Sequence, residues 1–285
     1  MELRQLRAFE AVVTHGTVTD AAVALGLAPS SVSARVRALE TALEVRLFER
    51  GPRGMRLTAP GDRMLTWARR LLDEAERARR EVSGAAVTLR LGALETIAAT
   101  HVPGVLERLR GRRPDVSVDV RTEVSRDRLL NDVTTGRLDL ALVLDTGDAL
   151  GGLGFAPPPA PLDFVDVGPV PLVLVAAPGH RGAADLRGTR LLVNVPGCSF
   201  RLAADRLFGP EVERVAAGSV PVMRAWAERD VGVALLPEFA VRDQLDAGTL
   251  SRLAVETPQL VLRLVWSGGG ERRPELRELL YAASA

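Results

Sequence analysis

The stretch DAAVALGLAPSSVSARVRALETALEVRLFERGPRGMRLTAPG, residues 20–61, decides what the front of the chain is. Ala21, Ala22 and Leu25 make a short apolar helix that Gly26 stops, as a residue free to adopt positive φ should. Thr17-Val18-Thr19-Asp20 just upstream predicts its start: a threonine hydroxyl can accept from free backbone N–H groups, and Asp20 suits the positive end of the helix dipole. Pro29 falls in the first turn of the next helix, which tolerates a missing donor. Val32, Val36 and Leu39 then form an i, i+4, i+7 stripe that faces inward. This leaves Ser30, Ser31, Ser33, Ala34, Arg35 and Arg37 facing out. Leu3, Leu6, Phe9, Val12 and Val13 predict a further helix over 3–14, ended by His15-Gly16. Helix, short helix, glycine turn, helix is the helix-turn-helix pattern.

Residues 46–50 and 55–58 flank Gly51-Pro52-Arg53-Gly54, which predicts two short strands and a wing with arginines at its tip. Residues 60–83 read as one long helix. Met64, Ala68, Leu71, Ala75, Ala78 and Val82 recur there in alternating steps of four and three, an a/d seam that predicts a partner helix from a second copy.

From Val87 the pattern turns to alternating strands and helices: strands at 87–91, 116–121 and 138–144, with helices at 96–110 and 126–135 between them. Such spacing predicts a parallel, doubly wound α/β sheet. The Gly/Pro-rich segment 147–161 breaks the rhythm and marks a crossing to a second lobe. Strands at 172–176, 191–195, 231–236 and 260–266 follow, with helices from 199, near 221–229 and at 272–282.

Charge divides along the chain. Residues 1–90 carry 15 arginines against 11 acids and the remainder 22 against 25, so the front is mildly basic, as a nucleic-acid-binding end permits. The one cysteine, Cys198, rules out an internal disulfide and suits a reducing compartment. His15, His101 and His180 are scattered, so no metal site is expected. With no apolar run near the ~20 residues a membrane helix needs, and no signal-peptide pattern, a cytoplasmic protein is expected.

Residues 20–61 resemble the winged helix-turn-helix of LysR-type transcriptional regulators, through Ala21-Ala22, Leu25, Val32-Ser33, Leu39-Glu40, Leu47-Phe48-Glu49-Arg50, Leu57-Thr58 and Gly61. PDVSVDV, GRLDLALV, LVLVAAPGH, GCSFR and GVALLP follow in the order of that family's effector-binding half, so the resemblance spans the chain. It implies a periplasmic-binding-protein-like, Rossmann-like domain of two lobes with a small-molecule effector in the cleft. It also implies assembly into dimers and tetramers on promoter DNA, within reach of the transcription machinery. The expected domains are a winged helix-turn-helix over 1–59, a linker and dimerisation helix over 60–84 and an effector domain over 85–285. Lobe 1 would take 87–161 with 267–285, and lobe 2 would take 162–266.

A helix fits the DNA major groove, where an arginine can hold guanine through two hydrogen bonds. Arg35 is the expected base reader. Ser30, Ser31 and Ser33 would approach phosphates or base edges, and Arg37, Arg50 and Arg53 would hold backbone. Ligands of open α/β sheets bind beyond the carboxyl ends of strands, which selects Glu95, Thr96, Ser125, Ser199, Phe200 and Arg201 for the effector. Cys198 reads as a small packing residue rather than a redox sensor. No cofactor is expected. A cytoplasmic solute-binding protein without DNA affinity is the alternative, and it leaves the wing unexplained. An enzyme is disfavoured, since no G-x-S-x-G, no G-x-G-x-x-G after a strand and no paired His and Cys occur.

Overall fold

A computed structural model describes residues 1–51, 54–83, 87–180, 188–270 and 273–284. The chain divides into two compact units, one of Met1–Val87 with Thr134–Arg137, the other of Thr88–Val133 and Leu138–Ala285. The first unit runs α1 (Leu3–His15), α2 (Val18–Leu25), α3 (Pro29–Leu43), β1 (Phe48–Gly51), β2 (Gly54–Leu57) and α4 (Ala59–Ser83). Thr17 caps α2 as its sequence predicts, its Oγ1 accepting from Asp20 N at 3.1 Å. Gly16 and Gly26 close α1 and α2 at φ 77° and 64°. The core joins Leu6, Phe9 and Val12 to Val32, Val36 and Leu39, with Leu47 and Phe48 of the wing base closing it. Gly61 is required by close approach, because a Cβ there would stand 2.2 Å from Leu47 O.

Helix α4 corrects the seam predicted for it. Met64 and Ala68 are buried in the core of their own unit, and Arg69 ties the same side of the helix to Glu10 of α1 at 3.1 Å. The apolar residues left exposed are Trp67, Leu71 and Val82, the last 91 % exposed. At 100° per residue they share a sector with Ala78, about 60° wide and turned away from Leu65 and Leu72, which pack inward. The free stripe is therefore Trp67, Leu71, Ala78 and Val82, with half-buried Ala75 at its border.

The second unit comprises β3 (Val87–Leu94), α5 (Glu95–Thr100), α6 (Val102–Arg112), β4 (Val116–Glu123), α7 (Arg126–Thr134), β5 (Leu140–Asp145), β6 (Leu162–Ala176), β7 (Arg190–Val193) and α8 (Ser199–Leu207). It continues through β8 (Glu213–Ala216), α9 (Val220–Ala227), β9 (Val233–Pro237), α10 (Arg242–Asp246), β10 (Ser251–Arg252), β11 (Gln259–Ser267) and α11 (Pro274–Ser284). The strand order is β4-β3-β5-β11-β6-β9-β7-β8, with β10 beside β6. Within each lobe the predicted parallel pairing is present, β3 with β5 and β7 with both β8 and β9. At the junction β11 runs antiparallel to both β5 and β6, so the sheet is mixed.

The lobe limits shift accordingly. Residues Leu162–Pro171 of β6 pair with β11, beside β5 in the first lobe, and Leu172–Val175 pair with β9 in the second. The chain crosses inside β6, near residue 171, rather than at 162, and β11 belongs to the first lobe's sheet. Gly168, Pro169 and Pro171 hide this strand in the sequence, since proline offers no N–H to a ladder. Residues 96–110 are two helices rather than one, parted at His101.

Two ion-pair clusters brace this unit. Arg263 and Asp145 are both fully buried and meet at 3.0 Å. Arg263 also donates to Asp166 Oδ1 at 2.8 Å, to Ala149 O at 2.7 Å and to Gly147 O, while Asp145 accepts from Gly151 N and Leu153 N, each at 2.7 Å. In the second cluster Asp139 accepts from Arg90 Nε at 3.1 Å and from Arg273 Nη1 at 2.6 Å, joining β3, the approach to β5 and the approach to α11.

Burial alone would raise the Asp139 carboxyl, but Arg90 and Arg273 outweigh it and hold the group below the usual carboxylate range. A depressed folded pKa means that the unfolded chain takes up this proton first, so stability is full above the ordinary value near ~4 and falls as pH drops through the folded value. Asp139→Asn should lower stability by about 2 kcal/mol at neutral pH and flatten the acid limb of a melting-temperature profile. An unchanged acid limb would remove Asp139 from this role.

Candidate nucleic-acid interface and ligand cleft

Helix α3 presents a face that its own unit leaves unused. Ser30, Ala34, Arg37 and Ala38 are exposed, and Ser31, Ser33 and Arg35 are half-buried at the edge of the stripe that packs inward. Among the described residues no ion pair or hydrogen bond engages the Arg35 guanidinium, and Arg37 Nε makes only a long bond to Ser33 O at 3.4 Å. The N-cap of α3 is Ala28, which has no side chain to cap the helix. A helix N-terminus without a cap, surrounded by free serine hydroxyls, is a ready receptor for phosphate oxygens.

The wing is set against this helix by Glu40. Its carboxylate is buried and accepts from Leu47 N at 2.8 Å and Phe48 N at 3.3 Å, with Arg46 at 3.7 Å. Phe48 then packs on Phe9, ring centroids 5.2 Å apart. Strands β1 and β2 pair from Phe48↔Leu57 to Gly51↔Gly54. Arg50 lies on β1 by its backbone, and Arg53 falls outside the described residues.

In the second unit the six predicted ligand residues separate. Glu95 and Thr96 line a cavity of about 260 Å³ between α5 of one lobe and α9 and α10 of the other, with Arg224, Phe239, Arg242 and Asp243 across from them. Behind Phe239 lies His101, its ring edge-on to the phenyl at 4.9 Å, and burial lowers the imidazole pKa. Ser125 is elsewhere: its Oγ accepts from Arg128 N at 3.4 Å, a cap on α7, and it faces Gly197.

Ser199, Phe200 and Arg201 do not join the cavity. The Ser199 hydroxyl is fully buried and donates to Leu144 O at 3.0 Å, so it ties α8 to the end of β5. Phe200 is core. Arg201 turns to Asp205 at 2.7 Å, a carboxylate it shares with Arg214. Cys198 is buried, and its desolvation pushes the thiol pKa up, which opposes the thiolate that a redox sensor needs.

Sequence reasoning missed the cavity-lining residues Arg224, Phe239 and Arg242, because no periodic signal announced the short helix α10 and its approach. No helix among the described residues is long and apolar enough to cross a membrane.

Comparison with known proteins gives consistent matches. The family profile described as "Bacterial regulatory helix-turn-helix protein, lysR family" matches residues 3–62, and that described as "LysR substrate binding domain" matches residues 83–284. The HTH-type transcriptional regulator YofA of Bacillus subtilis (strain 168) is 33 % identical over 249 residues, covering 85 % of this chain and 83 % of that protein. A probable hydrogen peroxide-inducible genes activator of Streptomyces viridosporus is 33 % identical over 297 residues, covering 98 % and 92 %. Among solved structures, ArgP from Mycobacterium tuberculosis superposes with a TM-score of 0.74 at 20 % identity, covering 98 % of this chain and 95 % of that one. Full-length LysG from Corynebacterium glutamicum with bound effector Arg gives 0.70 at 20 % identity, covering 100 % and 97 %.

Glu40→Ala would strip the acceptor from two buried N–H groups and should destabilise the first unit by roughly 2–3 kcal/mol, with DNA affinity falling alongside. Denaturant unfolding followed by the fluorescence of Trp67 measures it; an unaltered midpoint would mean the wing is held by packing alone.

Proposed function

The chain belongs to the LysR family of transcriptional regulators, a DNA-binding unit joined to an effector-binding domain, and we propose that its α3 reads the operator chiefly through Arg35. The observation that carries this assignment is the uncommitted Arg35 guanidinium beside the free N-terminal serines of α3. Ser30, Ser31 and Ser33 approach phosphates and the neighbouring base edges, Arg37 holds backbone, and the wing follows the groove alongside.

The stripe Trp67, Leu71, Ala78 and Val82 is the surface through which two copies pair, so that two α3 helices meet successive half-sites about 34–36 Å apart. Charged residues fill much of the rest of α4, and the stripe is the apolar area its own unit leaves uncovered. The effector is a small molecule taken up between the two lobes of the second unit, where Glu95 and Thr96 line the cavity. LysG, whose structure holds arginine, is a relative in fold that supports a small metabolite in this role. Binding between lobes stabilises whichever assembly holds the ligand better, and so shifts the DNA-bound population. The mechanism uses no chemical step and no cofactor.

Arg35→Ala should lose about 1–3 kcal/mol of discrimination between operator and random duplex, read by fluorescence anisotropy at fixed salt. Arg37→Ala should weaken both duplexes alike. Equal losses on the two duplexes for Arg35→Ala would defeat the assignment. For assembly, Leu71→Glu combined with Val82→Glu should lower the sedimentation mass to that of a single chain, whereas Met64→Ala should reduce thermal stability without changing mass. The opposite pattern would return the seam to the buried side of α4.

A further inference from the structure

Helix α3 turns by about 100° per residue, so the direction in which it packs fixes the direction in which it faces out. Val32, Val36 and Leu39 are buried and share one heading, and the opposite heading passes within about 15° of Ala34. Ser30, Ala34 and Thr41 lie exposed along that outward line. Arg37 stands about 50° to one side of it, exposed, and Arg35 about 110° to the other, half-buried. The side chain at the centre of the outward face is therefore a single methyl, with a guanidinium on either flank.

A face with no long side chain at its centre can come close to the floor of a groove, while the flanking arginines reach past it. Ala38, exposed and about 55° round from the centre, keeps that approach open one turn further on. Chemistry decides what the methyl meets there. Every base edge in the major groove presents hydrogen-bond donors or acceptors, and thymine alone adds an apolar group, its C5 methyl. A methyl held against a donor or acceptor strips away its water and returns no hydrogen bond, which is unfavourable. Against the thymine methyl it buries apolar surface on both partners.

We propose that Ala34 selects a thymine in the operator half-site, its methyl packing on the thymine C5 methyl in the major groove. This rests on the reading of α3 as the DNA-facing helix and adds a second base to the one assigned to Arg35. The two residues discriminate by different means. Arg35 rewards a base through hydrogen bonds, whereas Ala34 rewards one methyl and penalises polar edges that lack it.

The test starts from synthetic duplexes of randomised sequence, from which the full-length protein selects its preferred half-sites. In the best-bound duplex each thymine is replaced in turn by deoxyuridine, which pairs in the same way and lacks only the methyl. For the wild-type protein one replacement per half-site should weaken binding about 3- to 6-fold by fluorescence anisotropy, the worth of roughly one buried methyl group. Ala34→Gly should bind the thymine and deoxyuridine duplexes alike. Ala34→Gln, a good helix former without a methyl at that point, should keep the fold and likewise lose the penalty. Ala42→Gly alters another exposed alanine of α3, about 90° round from the centre, at the same backbone cost, and should keep the penalty in full. A penalty of undiminished size in either Ala34 variant overturns the proposal, since it marks an alanine that serves only the helix. A preferred duplex in which no thymine methyl matters to the wild type defeats the role of Ala34 alone. A pool that yields no preferred duplex defeats the reading of α3 itself, and the proposal with it.

Discussion

A guanidinium and a carboxylate, Arg263 and Asp145, both shut off from water, hold the second unit together where its chain passes between lobes. Two buried charges are tolerable only when each donor and acceptor is met, because either one alone in the interior is strongly unfavourable. Here Arg263 spends its donors on Asp145, Asp166 and the carbonyls of Gly147 and Ala149, and Asp145 spends both oxygens on Gly151 N and Leu153 N. Such a pair adds little net stability over an apolar replacement. What it fixes is geometry: residues 147–153 have no regular structure, and this pair alone gives four of their backbone groups, Gly147 O, Ala149 O, Gly151 N and Leu153 N, a partner. The end of β5, the long β6 and the returning β11 are thereby set in one register.

In the first unit the corresponding constraint is Glu40. A carboxylate on the buried side of α3 receives the N–H groups of Leu47 and Phe48, so α3 and the hairpin beside it move as one body. The tie through Glu40 was not foreseen, but the inward side of α3 was legible in the sequence, because Val32, Val36 and Leu39 define it. The partner of α4 was not. In a helix of 25 residues Met64 and Val82 share one heading, five turns apart, so spacing alone cannot separate the part that packs on its own unit from the part left free. Only the position of α1 shows that Met64 and Ala68 belong inside and that Trp67, exposed at 58 %, belongs to the free stripe.

The same limit applies to the ligand residues. Strand ends selected the right turns, but spacing cannot show whether a hydroxyl is already spoken for. Ser199 was chosen for its place at a helix start, and that place puts its Oγ on Leu144 O. Strand β6 was hidden for a different reason: Gly168, Pro169 and Pro171 read as breakers, yet they lie where the strand changes lobes and its ladder is interrupted on one side. Local composition records the missing donors and not the partner strands that make the segment extended.

Arg126 and Arg263 are linked through the same loop. Arg263 holds its first half, Arg206 of α8 donates to Gly152 O at 2.8 Å, and Phe155 at its far end stacks on Arg126. One lobe therefore grips the loop through α7, the other through α8, and the crossing strands grip it through Arg263. Held from three sides, the loop has no room to yield locally, so any change in the separation of α7 and α8 is carried through it as a shift between packed arrangements of the lobes rather than absorbed as local disorder.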